Sequence, residues 1–125
     1  MARIDREPNP EGPVVQAFVG GGFSVDGNVY RALLLTPQSA REWDAPEAGA
    51  LAVGHFEALL ALEPPPEFVI LGTGERLVHP PRSLVRALEE RGVGIEVMDS
   101  RAAARTWGLL RAEERWIAAA LMPLG

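Results

Sequence analysis

The sequence contains no cysteine and no lysine, and all 12 of its basic residues are arginine. Because cysteine is absent, disulfide bonds, thiolate metal sites and cysteine nucleophiles are excluded. Because lysine is absent, the Gly-Lys-Ser/Thr loop that binds nucleotide phosphates is excluded. A complete absence of lysine indicates a bias in the composition of the genome and not a requirement of a functional site. The two histidines, His55 and His79, have no zinc-site spacing, so neither a metal nor a cofactor is expected.

Long hydrophobic runs are also missing. No segment approaches the roughly 20 apolar residues of a membrane span, and residues 1–13 lack the apolar core of a signal peptide. A cytoplasmic location is therefore expected. The formal net charge of −5 argues against a nucleic-acid partner, whose phosphates attract basic surfaces. The serines, Ser24, Ser39, Ser83 and Ser100, stand in no nucleophile-elbow motif, so no hydrolase triad is indicated.

The composition of the chain is that of an ordinary globular domain. Hydrophobic residues make up 47% and charged residues 23% of its 125 positions, and this length suits a single domain. The proline-rich, charged residues 1–13 are predicted to form a flexible tail. Residues 14–125 are predicted to form the domain itself.

The first half of the chain has the pattern of short antiparallel strands. Residues 14–19 are the first strand candidate, and the glycines at 20–22 break it with a turn that is favoured over an anion-binding loop. An Asp-Gly pair, which is typical of a type I′ turn, predicts a hairpin at residues 23–30. Its second arm is expected to run on to Leu35. Residues 38–43 are predicted to be extended, with a tryptophan anchor at the end.

The second half of the chain is predicted to alternate strands with helices. Apolar runs bounded by proline or glycine indicate three strands, at residues 68–71, 95–98 and 116–122. Helices are predicted at residues 53–62, after Pro80-Pro81 and from a cap at Asp99 or Ser100. Strand, helix and strand in this order favour a right-handed parallel unit. The fold class is therefore α/β, with a mixed sheet flanked by helices and an added antiparallel portion.

The turn Gly72-Thr73-Gly74 follows a predicted buried strand, at the end where α/β proteins bind ligands. It lacks the third glycine of a dinucleotide fingerprint, because Leu77 stands at that position. A tight backbone turn is therefore favoured. An anion site that also uses Arg76 and His79, which follow in the loop, stays open as an alternative.

Glu96 lies in the middle of a predicted strand and alternates with apolar residues. If the strand is central and buries Glu96, the carboxylate needs a partner, for which Arg105 and Arg115 are the candidates. Such a pair could orient a ligand, but a structural salt bridge or an exposed position at a sheet edge is favoured. The candidate ligand-binding residues cluster around the predicted strand ends and the last helix, and they are Gly72, Thr73, Gly74, Glu96, Asp99, Ser100 and Arg105.

The last predicted helix and the segment after it carry four arginines, Arg101, Arg105, Arg111 and Arg115. Because two glutamates stand beside them, a solvated face of paired charges is favoured over a phosphate-binding surface. Trp107 lies at helical spacing with apolar residues and is expected in the core.

Several segments of the chain together resemble one known family. They are residues 23–27, Pro37, Trp43, 72–74, 94–100, Ala103, 105–107, Leu110, Glu113, Arg115 and 118–123. In order and spacing they are similar to the family called domain of unknown function 498, the MTH-938-like proteins, which includes a mitochondrial assembly factor of respiratory complex I. The chain departs from the family at Gly108, where asparagine is usual, at Glu114, where glycine is usual, and at Ser100, where threonine is common.

The resemblance implies a three-layer fold with a central mixed sheet and an extra β portion. It implies no established catalysis. The expected function is a non-catalytic protein-binding or assembly-assisting domain with an unidentified protein partner, and assembly of complex I is its specific version by analogy. The alternative is a small-molecule or anion-binding protein, with or without catalysis, that uses a pocket beside Gly72. Assembly into a homo-oligomer also stays open.

Overall fold

A computed structural model describes residues 12–125. Most of the predicted tail, residues 1–11, lies outside the described residues, and the domain boundary at residue 14 stays a prediction. In chain order the strands are β1 (Ala17–Val19), β2 (Gly22–Val25), β3 (Asn28–Tyr30), β4 (Leu33–Thr36), β5 (Ser39–Glu42), β6 (Phe68–Gly72), β7 (Gly94–Met98) and β8 (Ala118–Leu121). The α-helices are α1 (Glu57–Leu60), α2 (Arg82–Glu90) and α3 (Ser100–Ala112).

Strands β1, β2 and β3 form an antiparallel sheet of three strands. Gly20 and Gly21 make the first turn with φ of 52° and 84°, and Asp26 and Gly27 make the second with φ of 50° and 86°. Positive φ at both central residues is what a type I′ turn requires. The predicted turn at residues 20–22 and the predicted Asp-Gly hairpin are therefore confirmed.

The other five strands form one mixed sheet in the order β5-β4-β8-β6-β7. Strand β6 pairs in parallel with β7 on one side and with β8 on the other, while β4 pairs antiparallel with β8. The three strands predicted in the second half of the chain thus share a sheet. The predicted α/β class, with its mixed sheet and antiparallel portion, is confirmed.

The structure divides one predicted strand. The second hairpin arm was expected to continue from Tyr30 to Leu35, but it bends at residues 31–32, and β4 joins the large sheet instead. All four residues of β4 are buried, which a strand of a two-sided central sheet allows and a half-exposed hairpin does not. The predicted helix at 53–62 is also shorter than expected, a 3-10 turn over Val53–Phe56 followed by α1.

The large sheet is covered on both faces. Leu34, Val69 and Leu71 point to one face, where they pack with α1 and α2. Leu35 and Ile70 point to the other face, where they pack with α3 and the small sheet. The result is three layers, with the five-stranded sheet in the middle. Trp107 is fully buried beside Leu35 and Ile70 on this second face, as predicted. Its indole N–H donates a hydrogen bond to the carbonyl of Pro13 at 2.8 Å.

Candidate functional site

The turn after β6 lies at the sheet edge where a ligand was expected. Because β6 and β8 are parallel, with Gly72 opposite Leu121, their carboxyl ends meet at this edge. Helix α3 begins at the same place, with Asp99 as its N-cap accepting a hydrogen bond from the Ala102 N–H at 2.9 Å. The turn, the cap and the two strand ends are thus neighbours, as the sequence predicted.

Ser100, the first residue of α3, closes the crevice between these strand ends. Its Oγ accepts a hydrogen bond from the Gly74 N–H and donates one to the Met122 carbonyl, both at 2.8 Å. The Ser100 N–H donates to the Gly74 carbonyl, also at 2.8 Å. Ser100 is 0% exposed. The crevice that holds a ligand in many α/β proteins is therefore occupied by a side chain of the protein itself.

The backbone N–H and the hydroxyl of Thr73 also form hydrogen bonds within the protein. Its N–H donates to the Met98 carbonyl at 2.9 Å, and its hydroxyl donates to the Arg76 carbonyl at 2.7 Å. The hydroxyl also accepts from the Val78 N–H at 2.9 Å. Since the N–H groups of Thr73 and Gly74 are both used internally, neither is available to an anion without breaking a hydrogen bond. The geometry favours the tight backbone turn.

Gly72 has a packing role at this turn. A Cβ at Gly72 would lie 2.8 Å from both Cα and Oγ of Ser100 and 3.0 Å from Cβ of Ala103. The first turn of α3 therefore lies directly against the end of β6. Only glycine allows this approach, because any side chain would push the helix away.

Glu96 is exposed, because β7 is the edge strand of the large sheet. The favoured interpretation of Glu96 included this edge position, and the alternative of a buried carboxylate in a central strand is wrong. Arg115 pairs instead with Glu67, with N···O of 2.8 Å. The hydrogen bond to Glu67 raises the pKa of the Arg115 guanidinium above its usual value.

The arginines of α3 do not form the uniform, solvated face that the sequence favoured. Arg111 is buried and donates a hydrogen bond to the carbonyl of Arg115. The guanidinium of Arg101 lies 5.5 Å from the ring centre of Phe18. Arg105 is exposed and lines a depression with Val15, away from the turn after β6. Arg105 and Glu96 are therefore not gathered around Thr73, and a ligand-binding role for the seven candidates stays a prediction.

An open cleft does lie beside the turn, but mostly other residues line it. Two adjoining cavities of about 390 and 410 Å³ share Arg31, Ala45 and Pro123. Thr73 lines the second cavity and Trp43 the first. The guanidinium of Arg31 donates to the Gly125 carbonyl at 3.3 Å. Sequence patterns missed Arg31 because its placement follows from the bend before β4, which no local signal marks.

Residues 12–125 contain neither a cluster suited to a metal ion nor a helix suited to a membrane. Within this range no group of three or more histidine and carboxylate side chains is placed to hold a metal ion. None of the described helices combines the length and the apolar character needed to cross a membrane.

Comparisons with known proteins agree with the fold. Residues 15–122 match the family model described as "Protein of unknown function (DUF498/DUF598)". A relative from Bos taurus, named NADH dehydrogenase (ubiquinone) 1 alpha subcomplex assembly factor 3, is 33% identical over 124 residues. The protein of the same name from Danio rerio is 31% identical over 113 residues. The alignments cover 98% and 90% of this chain but 67% and 65% of the relatives, so the chain spans about two thirds of their length.

A solved structure has the same architecture. The solution structure of a Bordetella pertussis protein, described as a Mth938-like domain, superimposes with a TM-score of 0.80 at 25% identity. The match covers 99% of this chain and 94% of that one. The three-layer arrangement that the sequence resemblance implied is therefore confirmed.

Proposed function

The chain belongs to the DUF498/DUF598 family, and we propose that it is a non-catalytic protein-binding domain that assists the assembly of a larger complex. The observation that carries this proposal is the match over 98% of the chain to a protein named as an assembly factor. Respiratory complex I is the specific target that this relative's name suggests. A cytoplasmic location stays a prediction.

The strand-end turn supports the same proposal. Ser100 holds the turn after β6 to Met122, which follows β8, and Thr73 holds it to Met98 at the end of β7 and to Val78. The polar groups of both side chains are thus engaged within the protein at the edge where many α/β proteins bind a ligand. A protein whose crevice is filled in this way has its outer surfaces left for binding.

Deletion of the gene in its native host tests whether the chain assists the assembly of respiratory complex I. We expect assembled complex I to fall to a minor fraction of its normal level, and the purified, tagged chain to capture a reproducible protein partner. Blue-native gels and affinity purification with quantitative mass spectrometry measure the two effects. If complex I is normal but a reproducible partner is captured, complex I is not the target and the protein-binding role stands. If no partner is captured, the protein-binding role itself is wrong.

The cleft at Arg31 supports a second candidate, a small anion-binding protein. Its cavities of about 390 and 410 Å³ lie within the usual range for ligand pockets, roughly 300–1,000 Å³. Arg31 can offer its remaining guanidinium donors to a carboxylate or phosphate. Glu42, Asp44 and Glu47 also line the cleft and oppose an anion, so the candidate depends on direct hydrogen bonds from Arg31.

Thermal-shift measurements with inorganic phosphate, nucleotides and small carboxylates test this candidate. If an anion raises the melting temperature, Arg31→Ala should weaken its binding about tenfold, because a hydrogen bond to a charged group contributes about 1.5–3 kcal/mol. Arg86→Ala, an exposed arginine of α2 away from the cleft, is the matched control and should change nothing. Flat melting curves for the whole panel would remove the candidate.

A further inference from the structure

We propose that a groove between strand β1 and helix α3 binds an extended, acidic peptide segment of the partner protein. This inference rests on the proposed protein-binding role and adds the surface and the chemistry of the partner. The groove consists of two depressions of about 250 and 410 Å³. Its walls, called the β1–α3 groove below, include Val15, Phe18, Ala104, Arg105, Gly108 and Leu109.

The walls of the β1–α3 groove are apolar and open to solvent. Leu109 is 69% exposed and Phe18 is 38% exposed, although both are large hydrophobic side chains. Ala104 and Gly108 are small, and a Cβ at Gly108 would meet no other atom within 4 Å. Single exposed apolar residues are common, but neighbouring ones around a depression indicate a surface that another molecule covers.

One wall of the groove is an edge strand. Within residues 12–125, β1 pairs with β2 only, and all three residues of β1 are exposed. In an antiparallel pair every second residue directs its backbone N–H and C=O away from the partner strand. Such an edge can accept a further extended chain through backbone hydrogen bonds, with alternate side chains entering adjacent pockets. An extended segment therefore suits this surface better than a helix.

The charge of the groove sets the charge of the segment. Arg105 is exposed and lines both depressions. Arg101 is exposed one helical turn away on α3, and its guanidinium lies beside the groove, 5.5 Å from the ring centre of Phe18. Neither arginine forms an ion pair with any described residue. No acidic side chain lines either depression in the described part of the chain. The whole chain has a net charge of −5, but charges beyond about 8 Å are screened at physiological salt, so the two arginines dominate locally. Glutamate or aspartate between apolar residues would complement them.

A synthetic peptide that alternates valine and glutamate is the direct probe. We expect it to bind the full chain, measured by fluorescence anisotropy, at least about tenfold more tightly than a matched peptide that alternates valine and lysine. The backbone amide signals that shift in nuclear magnetic resonance spectra should be those of β1 and of the 104–109 part of α3.

Two variants locate the binding. Gly108→Trp places a large side chain in the open space of the groove and should weaken the acidic peptide at least about tenfold. Gly54→Trp is its matched control, because Gly54 also has open space but lies before α1, and it should leave affinity unchanged. The double variant Arg101→Glu with Arg105→Glu should reverse the preference, so that the lysine peptide binds better. Thermal melts confirm that each variant is folded.

Four results would overturn the proposal. The first is equal affinity for the acidic and basic peptides, and the second is undiminished binding to folded Gly108→Trp. The third is self-association in sedimentation experiments that Gly108→Trp abolishes while no peptide binds, since a second copy of the chain would then cover the groove. If affinity purification captures a partner equally well with Gly108→Trp, the groove is refuted while the protein-binding role stands.

Discussion

Replacement of Ser100 with alanine is expected to lower the free energy of unfolding by about 2–4 kcal/mol, because each buried polar group left without a partner costs about 1–3 kcal/mol. Two such groups are left, the Gly74 N–H and the Met122 carbonyl, which the Ser100 hydroxyl now satisfies at 2.8 Å. Chemical denaturation measures the loss. The melting temperature should fall with it.

Ser83 provides the matched control for this substitution. It is an exposed serine in the first turn of α2, so Ser83→Ala should change stability by less than about 0.5 kcal/mol. If Ser100→Ala were as mild as Ser83→Ala, the hydroxyl would not be what holds the turn to β8 and α3. The crevice would then be free to exchange Ser100 for a ligand, and the interpretation of the turn as structural would be wrong.

Two glycine-to-alanine substitutions, at Gly72 and at Gly108, are expected to change the stability of the protein in opposite directions. Gly72→Ala should destabilise the protein by about 2–3 kcal/mol, because forcing extra atoms into a packed region usually costs about 1–3 kcal/mol. The added Cβ would lie 2.8 Å from the Cα of Ser100, which is backbone and cannot rotate aside. Gly108→Ala should stabilise the protein by about 0.5–1 kcal/mol, because glycine weakens a helix interior and the space at Gly108 is open.

The contrast between Gly72 and Gly108 matters more than either value. Both changes add one methyl group, so the same denaturation experiment compares a closed position with an open one. Equal effects at the two glycines would show that α3 can move away from β6 at little cost. In that case the contact between Gly72 and the first turn of α3 would not be tightly packed, and the strand ends would not be part of the rigid core.

Local signals were enough to predict most elements from the sequence. The turn at residues 26–27 needs positive φ at both residues, and the Asp-Gly dipeptide is one of the few that adopt this conformation readily. Strand β6 and helix α3 have continuous apolar runs or stripes between proline, glycine and a cap, which few other structures accommodate. The family resemblance then supplied the layer order, which no single segment contains.

Strand order is what local patterns could not supply. Strand β7 is at the edge because β8 pairs with β6 and not with β7. Ala118, the first residue of β8, comes 46 residues after Gly72, the last residue of β6. The exposure of Glu96 follows from that order alone. The bend at residues 31–32, which places Arg31 in its cleft, likewise reflects the entry of β4 into the central sheet.

The closure of the turn by Ser100 was also beyond a sequence argument. A serine next to a helix cap is common, and its hydroxyl usually faces solvent or the helix backbone. Here the close approach of α3 to Gly72 buries the hydroxyl between two other chain segments. Only the tertiary arrangement shows that Ser100 and Gly74, two of the residues expected to hold a ligand, are hydrogen-bonded to each other.

Amide hydrogen exchange at Gly74 shows how firmly Ser100 closes the turn after β6. The Gly74 N–H donates to a fully buried hydroxyl, so it should exchange as slowly as the amides within β6, through global unfolding only. The neighbouring Glu75 is exposed and provides the internal reference for a fast amide. Slow exchange at Gly74 is the expected outcome. Exchange as fast as that of Glu75 would show that Ser100 does not hold the turn closed, and the turn would again be a candidate ligand site.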